Sequence, residues 1–355
     1  MNLYAIIMAG GVGARFWPRS KMKTPKQLLK IFGENTMIQD TVKRIEPLVK
    51  KENIFVITNR VQQEGIESQL SDIPKENIIY EPFGRNTAAC IGLASILIRA
   101  KDENAVTLIL PSDHIIKEED LFRQTLMNAA EFAFHSRGLV TIGVTPTKPE
   151  TGYGYIQINE QQVKDHIYKV LTFAEKPNFS TALRFIESGD FLWNSGMFIW
   201  RADAILEEFK KYLPDLASGL DQIKATIGKP EYEETLTNIY GQLKKISIDY
   251  GVMEKSQNVF LVKGNFSWSD VGSWDSVYQL SEKDDDGNVR VGNVYTDMSV
   301  DSYIYSPDNF TALIGVDNII VINTSHGVLI CKREKSQEVK NIIDYLKFNK
   351  LDIYL

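Results

Sequence analysis

The sequence predicts an α/β fold: a Rossmann-like domain on a mixed, largely parallel sheet, followed by a small β-rich, β-helix-like domain. Three observations lead there. Through the first half of the chain, short β-rich apolar runs alternate with amphipathic helical stretches, the pattern of βαβ units. Polar or glycine-rich loops follow several of those runs, at the strand ends where such sheets bind ligands. Beyond the acidic stretch Glu282–Asn288 the pattern changes to short strands separated by turn residues.

Leu3–Met8 reads as a buried first strand. Met1–Gly13 lacks a basic leader and runs into Arg15, Trp17 and Pro18 without a small-residue cleavage site, so it does not read as a signal peptide. Strands follow at Ile54–Thr58, Val106–Leu110 and Leu139–Val144, separated by helices near Thr36–Leu48, Thr87–Arg99 and Asp120–Phe134. The loops Ala9–Arg15 and Pro111–His114 then fall at strand ends. From Gly152 to about Trp274 the pattern is mixed, with strands near Tyr153–Asn159, Tyr168–Phe173 and Met197–Trp200 and helices near Thr181–Glu187 and Ala202–Tyr212. This part reads as the substrate-covering half of the same domain. The predicted division is 1–287 and 288–355. In the second domain Ser302–Tyr305, Ile319–Ile322 and Gly327–Cys331 read as short strands, a few coils of a β-helix. Lys335–Leu346 reads as a helix with Val339, Ile342, Ile343 and Leu346 on one face.

Composition narrows the function. With 355 residues, 43% hydrophobic and 24% charged, the chain is globular and long enough for about two domains. Its net charge of -6 is too acidic to coat nucleic acid or an anionic membrane by bulk charge. Any anionic ligand must meet a local basic cluster. Cys90 and Cys331 lie far apart and outside any CxxC spacing, which sets aside a disulfide framework and a zinc site and fits a reducing cytoplasm. The longest apolar stretches, such as Cys90–Ile98, fall well short of the ~20 residues that span a bilayer.

The basic cluster is easily found. Met1–Gly33 contains no Asp or Glu, yet holds Arg15, Arg19, Lys21, Lys23, Lys26 and Lys30. It begins with Gly10-Gly11-Val12-Gly13, where glycines let a backbone approach a ligand and aim N–H groups at phosphate oxygens. A tight turn beside a solvated basic loop would look the same. A dinucleotide fingerprint would need a small residue where Phe16 stands, and a P-loop would need GK[ST]; neither pattern fits. What does fit is Gly-x-Gly-x-Arg, then Trp17-Pro18, then Pro25-Lys26-Gln27.

That compound spacing resembles the signature of the nucleoside-diphosphate-sugar pyrophosphorylases. The resemblance covers nearly the whole chain and sharpens to the mannose-1-phosphate guanylyltransferase branch. It continues through Glu81-Pro82, Arg85-Asn86-Thr87-Ala88, Pro111-Ser112-Asp113-His114, Thr151-Gly152-Tyr153-Gly154-Tyr155 and Glu175-Lys176-Pro177. Trp193 to Phe198, Ser247 to Tyr250 and Trp268 to Gly272 follow in order. Three positions depart: Arg19 stands where leucine is usual, and Ala89 and Gly251 replace proline and alanine. The length stops short of bifunctional members with a phosphomannose isomerase domain, which implies the short, monofunctional form.

The resemblance implies a cytoplasmic enzyme that transfers GMP from GTP to mannose 1-phosphate with Mg2+, releasing pyrophosphate and GDP-mannose. It assigns Arg15 and Lys26 to the triphosphate, with Gly10, Gly11 and Gly13 supporting it. Asp113 and Asp270 are assigned to the metal, although taken singly Asp113 would more often be a helix N-cap and Asp270 a turn residue. Lys176 is assigned to the sugar phosphate and Glu175 to sugar hydroxyls. Asn194 suits a diol, Gly152 and Gly196 allow close approach of the ring, and Asp249 is either a sugar-pocket residue or a helix cap. The base is placed near Ala9, Gly10, Pro82, Asn86, Thr87 and Ser112. Trp193 and Phe198 read as core, His114 as structural, and Arg19 as exposed rather than a phosphate contact. A related enzyme using a heptose or glucose 1-phosphate, or another base, is the nearest alternative. A silent paralogue should have lost one of Arg15, Lys26, Asp113, Lys176 or Asp270, and all five are present. The C-terminal module is expected either to cap the catalytic domain or to join two subunits in a homodimer.

Overall fold

Strand β1 (Leu3–Met8) is buried from Leu3 to Ile7 because it lies inside a nine-stranded sheet with a neighbour on each side. The computed structural model describes all 355 residues. On one side β1 pairs in parallel with β2 (Ile54–Asn59), which is parallel to β3 (Ile78–Glu81); on the other it pairs in parallel with β4 (Val106–Pro111). After the two-residue β5 (Ile115–Ile116) come β6 (Leu139–Val144), β7 (Gly154–Lys164), β8 (Ile167–Glu175), β9 (Phe191–Arg201) and β10 (Val259–Gly264). The order across the sheet is β3-β2-β1-β4-β9-β6-β10-β8-β7, and β7 also reaches back to pair with β9.

The sheet is mixed, as expected, but less parallel than the alternation suggests. Parallel pairs are confined to β1–β4 and to β6 with β10; β9 runs antiparallel to β4 and β6, and β7 antiparallel to β8. The reason lies in the connections. Strands β7 and β8 join through a tight hairpin with His166 at φ 58°, and only a crossover places consecutive strands parallel.

Helices α1 (Met37–Ile45), α2 (Gln63–Gln69), α3 (Thr87–Lys101) and α4 (Glu119–Ser136) link the strands of the first half, and α5 (Phe179–Ser188) precedes β9. Helix α1 starts at a capping box between Thr36 and Gln39 and buries Met37, Ile38, Val42 and Ile45. Helix α3 is apolar almost all round because α6 (Ala202–Tyr212) and α7 (Pro214–Lys224) cover its outer face, with α8 (Tyr232–Gln242) packed on α7. Neither α7 nor α8 is among the helices expected from the sequence; α7 opens with Pro214 in its first turn, where no N–H partner is needed.

The second half of the chain closes over one end of this sheet. Strand β11 (Trp268–Ser269) pairs with β5, and α9 (Trp274–Leu280) follows. Strands β12 (Val289–Asp297), β13 (Tyr303–Ile314) and β14 (Ile319–Thr324) stack in parallel, Val289 beside Tyr303 and Tyr303 beside Ile320, as successive coils of a β-helix. Strand β15 (Gly327–Lys332) returns antiparallel to β14. A 3₁₀ turn, Arg333–Val339, leads into α10 (Lys340–Phe348), and the buried Val339 and Leu346 belong to the expected apolar face. One apolar cluster joins these coils to the glycine-rich loop and α9. In it Trp274 lies 4.9 Å from the Phe16 ring and 5.7 Å from Tyr303, and its indole N–H donates to the Trp17 carbonyl. Arg19 corrects the sequence reading. Its guanidinium lies 4.0 Å over the Tyr305 ring and donates to the Lys30 carbonyl, so it fastens the loop to the C-terminal coils rather than standing in solvent. No helix is long and apolar enough to cross a membrane.

Candidate active site

At the carboxyl ends of β1, β3 and β4 the sheet opens into a cavity of about 500 Å³. This is where a doubly wound sheet places its ligand. Gly10 and Gly11 after β1, Asn86 and Thr87 at the start of α3, Gly152, Glu175 at the end of β8, Asn194 and Gly196 within β9, Asp249 and Asp270 all line it. Residues far apart in sequence thus meet in one depression.

The glycine-rich loop is pinned by its neighbour in the signature. Buried Gln27 donates to the carbonyls of Ala9 (2.7 Å) and Gly11 (3.1 Å), which fixes the backbone beside the cavity. Gly13 has φ 60°, and a Cβ there would lie 2.6 Å from the Cβ of Lys26, so only glycine fits. Arg15 is exposed on the turn Ala14–Phe16, outside the cavity wall. Ala9 and Ser112 are buried behind the wall, and Pro82 is half-buried beside it.

Lys26 is the hinge of the charged end. Its buried ammonium donates to Asp113 Oδ2 at 2.8 Å and to the Asp270 carbonyl at 2.6 Å. Burial alone would raise the Asp113 carboxyl, but the Lys26 ammonium outweighs it and holds the group below the usual carboxylate range. Asp270 Oδ1 accepts from the Tyr153 hydroxyl at 2.6 Å. Tyr153 is itself held edge-on between Trp193 (5.1 Å) and Trp268 (5.3 Å). His114 lines the cavity, and its Nδ1 accepts from the Trp268 indole; burial pushes its pKa down to about 4, so it is neutral. The structural reading of His114 gains a definite partner.

At the other end the polar groups suit a polyol. Asn194 donates to Asp249 Oδ1 at 2.9 Å, and its own oxygen accepts from the Gly196 amide at 3.1 Å. Burial, then the nearby Glu175 charge, raises the Asp249 carboxyl to about 6. Glu175 Oε1 pairs with Lys176 at 2.9 Å, whereas Glu175 Oε2 is buried with no partner. A Cβ on Gly154 would clash with that Oε2, so glycine leaves this oxygen free to meet a hydroxyl. Lys176, at φ 52°, does not line the cavity; its ammonium lies against Glu175 at the rim. Trp193 and Phe198 are buried, and Phe198 also borders the cavity.

Three residues of the wall carry roles that the sequence reading did not give them. Tyr153 orients Asp270, Gly154 clears space for Glu175, and Glu81 presents a buried carboxylate at the end of β3. Tyr153 and Gly154 stand in the Thr151–Tyr155 motif and Glu81 heads the Glu81-Pro82 pair, so the signal was position within a motif, not charge. Arg85, in the same motif as Asn86 and Thr87, has a structural task. It donates to the carbonyls of Tyr240 (2.9 Å) and Gly241, tying the loop after β3 to the end of α8.

Magnesium takes oxygen ligands and commonly uses one or two carboxylates with phosphates and waters. The charged end offers two aspartates to such an ion: the Asp113 carboxylate is paired with the Lys26 ammonium, which also holds the Asp270 carbonyl, and the Asp270 carboxylate is oriented by Tyr153. No cluster of three His, Cys, Asp or Glu residues could hold an ion alone.

Comparison with known proteins agrees with this geometry. Residues 4–287 match the nucleotidyl transferase family, and residues 293–346 match the MannoseP isomerase/GMP-like beta-helix domain. The mannose-1-phosphate guanylyltransferase of Salmonella muenchen is 40% identical over 353 residues, which is 98% of this chain and 74% of that protein. The enzyme of the same name from Klebsiella pneumoniae is 38% identical over 99% of this chain and 75% of its own. A crystal structure from Thermus thermophilus, described as a mannose-1-phosphate geranyltransferase, superposes with a TM-score of 0.89 at 32% identity, covering 98% of this chain and all (100%) of that one. Sequence likeness of this extent, on a sheet whose strand ends carry the matching motifs, means that the chain belongs to the nucleotidyl transferase family, in its mannose-1-phosphate guanylyltransferase branch.

Proposed function

We propose that the chain transfers GMP from GTP to mannose 1-phosphate, forming GDP-mannose and pyrophosphate. The observation that carries the reading is a single cavity with two unlike ends: Asp270 at one, backed by Lys26 and Asp113 behind the wall, and Glu175, Asn194 and Asp249 at the other. A polyanion and a polyol fit side by side in that arrangement.

The chemistry must bring two anions together. Unit charges repel by about 4 kcal/mol at 4 Å and an effective dielectric near 20, so cations have to offset the approach. Arg15, with a planar fork matched to phosphate oxygens, and Lys26 are assigned to the triphosphate, with the Gly10–Gly13 backbone beneath it. Lys176 is assigned to the sugar phosphate, which it can reach by leaving Glu175 at the rim. Glu175 Oε2, Asn194 and Asp249 then hold sugar hydroxyls and aim a phosphate oxygen of mannose 1-phosphate at the α-phosphorus. That oxygen forms the new P–O bond as the bond to pyrophosphate breaks in line. No covalent nucleophile of the protein is needed. Enzymes of this family use a divalent metal; we assign Mg2+ to Asp113 and Asp270, where it would supply charge neutralisation for the phosphates.

Pyrophosphate release over a matrix of four nucleotides and several sugar phosphates tests the reading. GTP with mannose 1-phosphate should exceed every other pair at least tenfold in kcat/KM, about 1.4 kcal/mol of transition-state binding. A matrix led by UTP with glucose 1-phosphate would overturn the assignment.

A further inference from the structure

Glu81 is a buried carboxylate, 7% exposed, at the carboxyl end of β3, and it lines the cavity beside Gly10, Asn86 and Thr87. Its Oε1 accepts from the hydroxyl of Tyr240, which is wholly buried on α8. Its Oε2 faces the glycine-rich loop: a Cβ on Gly10 would lie 3.3 Å from it. No ion pair reaches it, because the neighbouring Arg85 spends its guanidinium on the carbonyls of Tyr240 and Gly241. Asn86 is not free to read a ligand with its side-chain oxygen, which accepts from the Thr87 amide at 2.8 Å. When ionised, this carboxylate is an acceptor-only group buried in a ligand cavity with a single protein donor attached, and such a group calls for donors from the ligand.

The four bases differ in what they offer on the edge that pairs with another base. Guanine presents two adjacent donors, N1–H and the N2 amino group. Adenine and cytosine each place an acceptor nitrogen next to one amino group, and uracil flanks N3–H with two carbonyl oxygens. A carboxylate repels those acceptors and satisfies only the guanine edge in full. We propose that Glu81 is the residue that selects guanine, accepting hydrogen bonds from N1–H and N2–H with the Tyr240 hydroxyl fixing its orientation. The proposal rests on the nucleotide reading above and adds to it the group that makes the choice. Sites built to hydrogen-bond a particular group reject analogues that lack it far more strongly than apolar pockets do.

The test compares GTP with ITP, whose base keeps N1–H and lacks the 2-amino group. The enzyme should prefer GTP over ITP by at least tenfold in kcat/KM and in affinity measured by titration calorimetry. Glu81→Gln keeps the size but replaces one acceptor by a donor, and the preference should fall to within about threefold. A second measurement needs no variant. Burial pushes the Glu81 carboxyl up to about 7, against the opposing effect of the Tyr240 hydrogen bond. The other ionisable neighbours are the Cys90 thiol, raised well above its ordinary value by burial, and Arg85. The wild-type preference for GTP should therefore weaken from about pH 8 to about pH 6 as Glu81 takes a proton, because a neutral carboxyl loses an acceptor. A folded Glu81→Gln enzyme that keeps the wild-type ratio, or a wild-type ratio flat over that pH range, overturns the role of Glu81 while leaving the transferase reading intact. Guanine-selective binding without mannose 1-phosphate turnover would support Glu81 and overturn the transferase reading. A chain that binds GTP no better than ATP overturns both.

Discussion

Arg15→Ala should lower turnover by a factor of about 100 or more, corresponding to roughly 2.7 kcal/mol of transition-state stabilisation. The loss is expected in catalysis and not in folding, because Arg15 stands exposed on a short turn that is held by other residues: Gly13, Gln27 and the Trp274 cluster. Arg15→Lys should recover only part of the rate, since an ammonium cannot engage two phosphate oxygens with a fixed fork. Steady-state kinetics and a thermal melt of both variants check this. A melt shifted as strongly as the rate would assign Arg15 to the fold, and an unaltered rate would remove it from the triphosphate.

Neutralising the two aspartates should raise the magnesium concentration for half-maximal rate by about tenfold each, or ~1.4 kcal/mol. The structure separates their effects on stability. Asp270→Asn still offers an oxygen to the Tyr153 hydroxyl, and the carbonyl that receives Lys26 belongs to the backbone, so the ligand-free melt should barely move. Asp113→Asn leaves the buried Lys26 ammonium with a neutral partner, and should cost about 1–3 kcal/mol even without ligand. Rates and melts over a magnesium titration decide between these outcomes. If both variants keep the wild-type magnesium dependence, the metal is held elsewhere.

Much of this architecture is legible in the sequence, for identifiable reasons. Leu3–Met8 is an unbroken apolar run and Leu139–Val144 a β-rich one interrupted only by Thr141 and Gly143, and both are strands over those residues. Helix α3 is announced by a long apolar stretch after Asn86, which caps it. Strand β3 is harder to see, since Ile78–Glu81 is four residues long and ends in a carboxylate; with the strand, the role of Glu81 is lost from view. Strand β9 reads as Met197–Trp200 because Asn194, Ser195 and Gly196 break the apolar run, yet it begins at Phe191 and those polar residues are the ones turned to the cavity and its support. The charged end is the least legible part. Lys26 meets Asp113 and Asp270 across 87 and 244 residues of chain, and no local pattern encodes such contacts. Arg19 shows the same limit from the other side: a cation in a basic segment reads as solvated or phosphate-bound, and only the fold brings Tyr305 beneath it.

The central claim is that one phosphoryl bond is exchanged, at the α-phosphorus of GTP, with mannose 1-phosphate as the attacking group. Its most direct test is to follow isotope from GTP labelled separately at the α- and γ-phosphates, with mannose 1-phosphate and magnesium. The account predicts that the α-label enters GDP-mannose while the γ-label leaves entirely in pyrophosphate. Recovery of the γ-label in a sugar product, or of the α-label only in GDP or GMP, would contradict it.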